Sequence, residues 1–204
     1  VNFTKLKVRK DLELDKFIGS FEFNDKLTGS GVGRLNGGPE VAVSVTVNNN
    51  QKFFKVYSNN AGDVLLRSNV YSSGYGGEMN FELQQRLGEA SEGTLHIKNM
   101  RVIGAPFLAK LIALSSIEGI LDLLGSNGMV FNEIKAEYSL IKDFLSIKNG
   151  IAVNPSFGIT LSGTREISKK IINYTGVLSP AYSLNGLVKK IPLIGGLIGG
   201  SEGE

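Results

Sequence analysis

In the segment EVAVSVTVN, Val41, Val43, Val45 and Val47 take one side and Ala42, Ser44 and Thr46 take the other. A two-residue period of this kind predicts a strand with one greasy face and one wet face. The pattern recurs along the chain. Met79, Phe81 and Leu83 alternate with Glu78, Asn80, Glu82 and Gln84, and Leu95 and Ile97 alternate with Thr94, His96 and Lys98. Ile134, Ala136, Tyr138 and Leu140 oppose Glu133, Lys135, Glu137 and Ser139, while Phe157, Ile159 and Leu161 share a side of PSFGITLSG. Antiparallel sheets carry this signature, because one face packs and the other stays in water.

Glycine and Asx clusters separate the strands: LNGG at 35–38, VNNNQ at 47–51, YSSGYGG at 71–77, GSNG at 125–128 and KNG at 148–150. The break at 47–51, followed by KFFKVYS, predicts a hairpin. Two stretches are helical instead. NAGDVLLRSN (60–69) is one. In APFLAKLIALSSIEGILDLLG (105–125), Pro106 suits a first turn, Ser115 and Glu118 have capping-box spacing, and Gly125 suits a stop. Two short helices, about 106–114 and 116–124, are therefore expected, with Lys110, Glu118 and Asp122 confined to one polar strip. SLNGLVKKI (183–191) predicts a last helical turn. The fold class is mainly β with a few short helices. A second sheet, a closed barrel, or a trough covered by its ligand would each hide the greasy faces, and alternation does not choose among them.

The 204 residues allow one domain or two small ones, of which a single domain is expected, with a sizeable core. Twenty-six glycines against five prolines suit many turns and sheet bends. The net charge of +3 is scattered rather than gathered into the basic stripe of a nucleic-acid binder, and leaves room for a weak attraction to anionic lipid headgroups. With no cysteine, disulfides, zinc–thiolate sites and thiol catalysis are excluded. The opening VNFTKLKVRKDLELD is not a signal peptide. Lacking an initiator Met, the chain is expected to be a piece of a longer protein with any targeting segment upstream. No window of about 18 apolar residues is present to span a bilayer.

Candidate chemistry is sparse. His96 stands alone, without a second histidine or a cysteine for a metal site or nucleophile pair. Glu133 and Glu137 flank Lys135, the pattern of a solvated strand face, and DLELD (11–15) reads as a solvated turn. GSGVGRLNGG (29–38) lacks the lysine–hydroxyl ending of a phosphate loop and predicts strands joined by glycine turns. QKFFKVYS interleaves aromatics and lysines as single-strand binders do, but the rest of the chain offers no basic groove and strand packing explains the same residues, so no nucleic-acid partner is expected. Neither catalytic residues nor a cofactor is expected.

Four segments, in order, resemble the C-terminal region of the bacterial AsmA-like family, in its YhdP-type branch. They are NAGDVLLRSNVYSSGYGGEMNFEL, GTLHIKNMRVIGAPFLAKLIALSSIEGILDLLGSNGMVFNEIKAEY, NPSFGITLSGTREI and GVLSPAYSLNGLVKKIPLIGGLIGG. The resemblance covers about 60–200, with 1–59 a β-rich lead-in to the same domain, and Asn154 stands where the family pattern has glycine. It implies a strongly curved amphipathic sheet, an open groove or half-barrel with the 106–124 helices packed on it. It also implies a periplasmic, non-enzymatic bridge-like lipid transporter anchored in the inner membrane upstream. Its partners would be phospholipid or another envelope lipid, a membrane surface and envelope proteins. The groove would be lined by Val41, Val43, Val45, Val47, Met79, Phe81, Leu83, Ile134, Tyr138, Phe157, Ile159 and Leu161. Lys189, Lys190, Leu193 and Ile194, beside the greasy IPLIGGLIGG (191–200), would meet headgroups or a membrane. The alternative is a structural or docking domain of the envelope with a sealed core and protein partners only.

Overall fold

In the computed structural model, which describes residues 1–24, 26–48, 51–86, 89–105 and 128–180, the alternating segments are strands of one antiparallel sheet. In chain order they are β1 (Asn2–Arg9), β2 (Leu12–Phe23), β3 (Leu27–Leu35), β4 (Glu40–Asn48) and β5 (Gln51–Ser58), then helix α1 (Ala61–Arg67). There follow β6 (Gly74–Tyr75), β7 (Glu78–Arg86), β8 (Ser91–Val102), β9 (Met129–Ile141), β10 (Phe144–Val153), β11 (Phe157–Glu166) and β12 (Ile171–Pro180). Each strand pairs with the next in a meander, except that β5 passes to β7 while the short β6 pairs with β8. The twelve-stranded sheet is open, since β1 and β12 end the order without meeting. The strands before and after residue 59 belong to it alike, β5 pairing directly with β7. The expected helices at 106–124 and the segment holding Lys189, Lys190, Leu193 and Ile194 lie outside the described residues.

The predicted hairpin is β4–β5, and LNGG is the β3–β4 turn, with Asn36 and Gly37 both at positive φ. The expected 60–69 helix is α1. The Asn60 side chain caps it by accepting from the Asp63 N–H at 3.2 Å, and Arg67 reaches back to Asp63 at 3.0 Å. Two expectations fail. KNG is a bulge inside β10, where the pairing with β11 slips between Ile147 and Gly150; the turn is at Lys142. DLELD is a solvated turn only at Asp11. Leu12 to Asp15 open β2, and Leu14 is buried.

Residues paired across an antiparallel sheet share a face, so the registers define its two sides. One row runs Ser58, Met79, Ile97, Ile134, Ala152, Ile159, Leu178, with Val41 two residues from Val43 on the same side of β4. The next runs Val43, Val56, Phe81, Leu95, Ala136, Gly150, Leu161. A third runs Val45, Phe54, Leu83, Gly93, Tyr138, Ile147. Gly29, Gly31 and Gly33 continue these rows on β3, and the rings of Phe17 and Phe21 lie over them. The glycine-rich segment is thus a strand thinned to seat aromatics.

Core formation is uneven along the strands. Leu14, Phe17, Leu35, Val41, Met79, Ile97, Met100, Met129, Phe131 and Phe157 are buried toward one end, together with Ala61, Val64 and Leu65 of α1. There α1 packs against β6 and β8, and Arg67 donates to the Asn36 carbonyl of the β3–β4 turn at 2.9 Å. We call this the helix end and the other the hairpin end, after the tips at 142–143 and 167–170.

Candidate functional site

Burial on the apolar face falls away from the helix end. On β7, Met79 is 3 % exposed, Phe81 and Leu83 are half-buried, and Gln85 is exposed. On β4, Val41 is buried while Val43, Val45 and Val47 are half-buried; on β11, Phe157 is buried while Ile159 and Leu161 are not. All twelve positions read from the sequence as groove-lining fall on this face. Val41, Met79 and Phe157 belong to the sealed core, and the other nine form the accessible part. Val56, Leu95, Phe54, Ala152 and Leu178 join them, although sequence reasoning left them out; Leu95 and Val56 alternate with polar neighbours and carried the same signal.

Tyr138 anchors the middle of the face. Its ring stacks on Phe81 at 5.5 Å and crosses Gly93, and its hydroxyl donates to the Glu82 carbonyl at 2.9 Å. Burial, with the Glu82 charge second, raises the phenol well above its ordinary value. At neutral pH it packs in its neutral form.

The opposite face is ionic and internally matched. Lys55 meets Glu82 at 3.1 Å, Lys148 meets Glu92 at 2.7 Å, and Asn149 donates to Glu137 at 2.7 Å. Glu133 receives both Lys135 at 2.7 Å and the His96 ring at 3.0 Å. Burial alone would raise the Glu133 pKa, but Lys135 and His96 together outweigh it and hold the carboxyl below its usual range. Depressions of about 120 and 380 Å³ open on this face; Lys55, Glu82, Glu92, Glu137 and Lys148 line the first, and Lys55 and Glu82 line the second together with Val32, Ser44, Tyr57 and Asn80. His96 faces Asn80 and Lys135 across the strands. Among the described residues no group of His, Asp and Glu is placed to hold a metal ion.

Asn154, where glycine was expected, is a buried side chain in the β10–β11 turn. It accepts from the Ser156 N–H at 2.9 Å and donates to the Val130 carbonyl at 2.8 Å.

No helix among the described residues is long and apolar enough to cross a membrane. No family model, curated protein or solved structure matches the chain.

Proposed function

We propose that the chain is a non-enzymatic lipid-binding module whose apolar sheet face receives acyl chains. The observation that carries this reading is the burial gradient across a continuous row system. The face is closed at Val41, Met79 and Phe157 and open from Val43, Phe81 and Leu161 outward. Among the described residues every strand belongs to this one sheet, so no second sheet shares the cost of exposing it. From Leu140 to Ile134 along β9 the face runs roughly 20 Å at about 3.4 Å per residue, the length of a long acyl group. Affinity would come from buried apolar area at about 25 cal/mol per Å², with headgroups left in water at the hairpin end.

In this reading the sheet curls into an open groove, as the resemblance to AsmA-like proteins implies. The chain would serve a periplasmic bridge-like protein that carries phospholipid between inner and outer membranes and supports envelope integrity. It would be held by an inner-membrane anchor upstream and would meet a membrane surface and envelope proteins.

Native mass spectrometry of the detergent-free chain, with solvent extraction of what co-purifies, tests the proposal. Phospholipid should be carried, and a lipid with a photoreactive acyl chain should crosslink to peptides holding Val43, Phe81 or Leu95. A chain that stays free of lipid after incubation with phospholipid vesicles would instead be the structural domain with a sealed core.

A further inference from the structure

The corner where β9 to β12 end at the hairpin side gathers exposed apolar side chains and positive charge. Registers set Ile141, Phe144, Glu166 and Ile171 in one row across the four strands. The three apolar members are between 52 and 55 % exposed, and Ile167 and Ile172 beside them are 43 and 59 % exposed. Glu166, the acid in the row, is neutralised by Lys169 at 2.7 Å. The two tips are tied together rather than loose: Asp143 accepts from the Ser168 N–H at 3.0 Å and from its hydroxyl, and its carbonyl accepts from the Ile167 N–H at 2.9 Å.

Charge gathers at the same place. Lys142, Arg165, Lys169 and Lys170 face only Asp143 and Glu166 in these segments, which accounts for two of the chain's three net positive charges. All three lysines are exposed. One row in, on the apolar face, Arg165 sits between Leu145 and Ile172 with its Nε buried and unpartnered. A buried donor without an acceptor calls for one from outside.

We propose that this corner docks on an anionic lipid bilayer. Phe144 and the isoleucines would enter the headgroup boundary, the lysines would meet lipid phosphates, and Arg165 would take the phosphate of a lipid passing onto the apolar face. Large exposed apolar side chains rimmed by lysines are the composition of an interfacial anchor, and the positive excess selects an anionic surface. The proposal rests on the lipid-binding reading only for its purpose, and the two fail separately. A chain that carries lipid but ignores vesicles refutes docking alone; one that binds vesicles but never holds lipid refutes the other alone.

The chain has no tryptophan, so Phe144→Trp places a single indole at the tip. With vesicles of phosphatidylcholine plus phosphatidylglycerol, its emission should shift to the blue and be quenched by brominated acyl chains, an effect weakened by salt. With phosphatidylcholine alone the spectrum should not change. Adding Lys142→Glu, Lys169→Glu and Lys170→Glu should weaken vesicle affinity about a hundredfold, circular dichroism confirming the fold. If the triple variant fails to fold, the single-indole spectra decide. An unshifted spectrum, equal binding to neutral vesicles, or a folded triple variant within about threefold of the parent overturns docking. So does a lipid-free dimer held by Phe144 and Ile171, which would make the corner a protein interface.

Discussion

A glutamate walked along one side of β7 tests whether the apolar face is open. Met79, Phe81, Leu83 and Gln85 share that side; Met79 is 3 % exposed, Phe81 and Leu83 are half-buried and Gln85 is exposed. Met79→Glu buries a carboxylate next to Ile97, at about 4–5 kcal/mol or more. Phe81→Glu loses about half the burial of a phenylalanine, roughly 1 kcal/mol, and the stack on Tyr138, about 0.5–1.5 kcal/mol. Its carboxylate still reaches water. The total is about 2 kcal/mol, a fall in Tm of roughly 4–8 °C for a chain of this size. Leu83→Glu should cost about 1 kcal/mol. Gln85→Glu, opposite Lys52, should be neutral or gain a few tenths. Thermal unfolding by circular dichroism measures the ladder, and native mass spectrometry measures lipid carried by each folded variant. Equal losses at 79, 81 and 83 would show a face sealed throughout. A folded Phe81→Glu that keeps its lipid would remove the lipid from this face.

Gly31→Ala would bring a Cβ to 2.3 Å from the Phe17 ring and 2.6 Å from the Ile18 carbonyl, costing about 1–3 kcal/mol. Phe17→Ala should cost about 3–5 kcal/mol, and denaturant unfolding of the double variant should show less than the sum. Because the folded Glu133 pKa is depressed, its contribution to stability is present above the ordinary carboxylate pKa and is lost as pH falls through the lower folded value. Glu133→Gln should flatten that acid limb, and an unchanged stability–pH profile would refute the pairing. Arg165→Leu removes an unpartnered buried donor, so Tm should hold or rise while anionic-lipid affinity falls about tenfold or more; equal affinity for anionic lipid would deny Arg165 the phosphate.

The strands whose period stays unbroken were legible from their residues alone: the valines of β4, Met79 to Leu83 on β7, and Ile134 to Leu140 on β9. Bulges hid the rest. Leu14 and Phe17 are both buried although three residues apart, because Lys16 adopts φ 50° and the β2–β3 register slips between Asp15 and Ile18. A period-two reading cannot carry a face across an inserted residue, so DLELD looked like a turn and Phe17 had no partner. KNG hid β10 for the same reason. The role of Gly29, Gly31 and Gly33 was invisible because it depends on rings from the neighbouring strand. The corner proposed to dock combines hairpin tips 24 or more residues apart in sequence, joined by Asp143 and Ser168, and no local pattern announces it.

On the proposed reading, an open face also limits how lipid can bind it. A bilayer encloses an acyl chain on all sides, each methylene worth about 0.8 kcal/mol, whereas a chain lying singly on a sheet keeps its outer half in water. Transfer of one lipid onto the face is therefore uphill unless something covers it. From Val43 on β4 to Leu161 on β11 the second row crosses six strand spacings, roughly 29 Å at about 4.8 Å each. That breadth admits several acyl chains side by side, each covering its neighbour's flank. Loading should then be cooperative. At limiting lipid, native spectra should show empty chains beside chains with two or more lipids, and few with one. A distribution that fills through the singly loaded species, as independent sites would, refutes this account of the face.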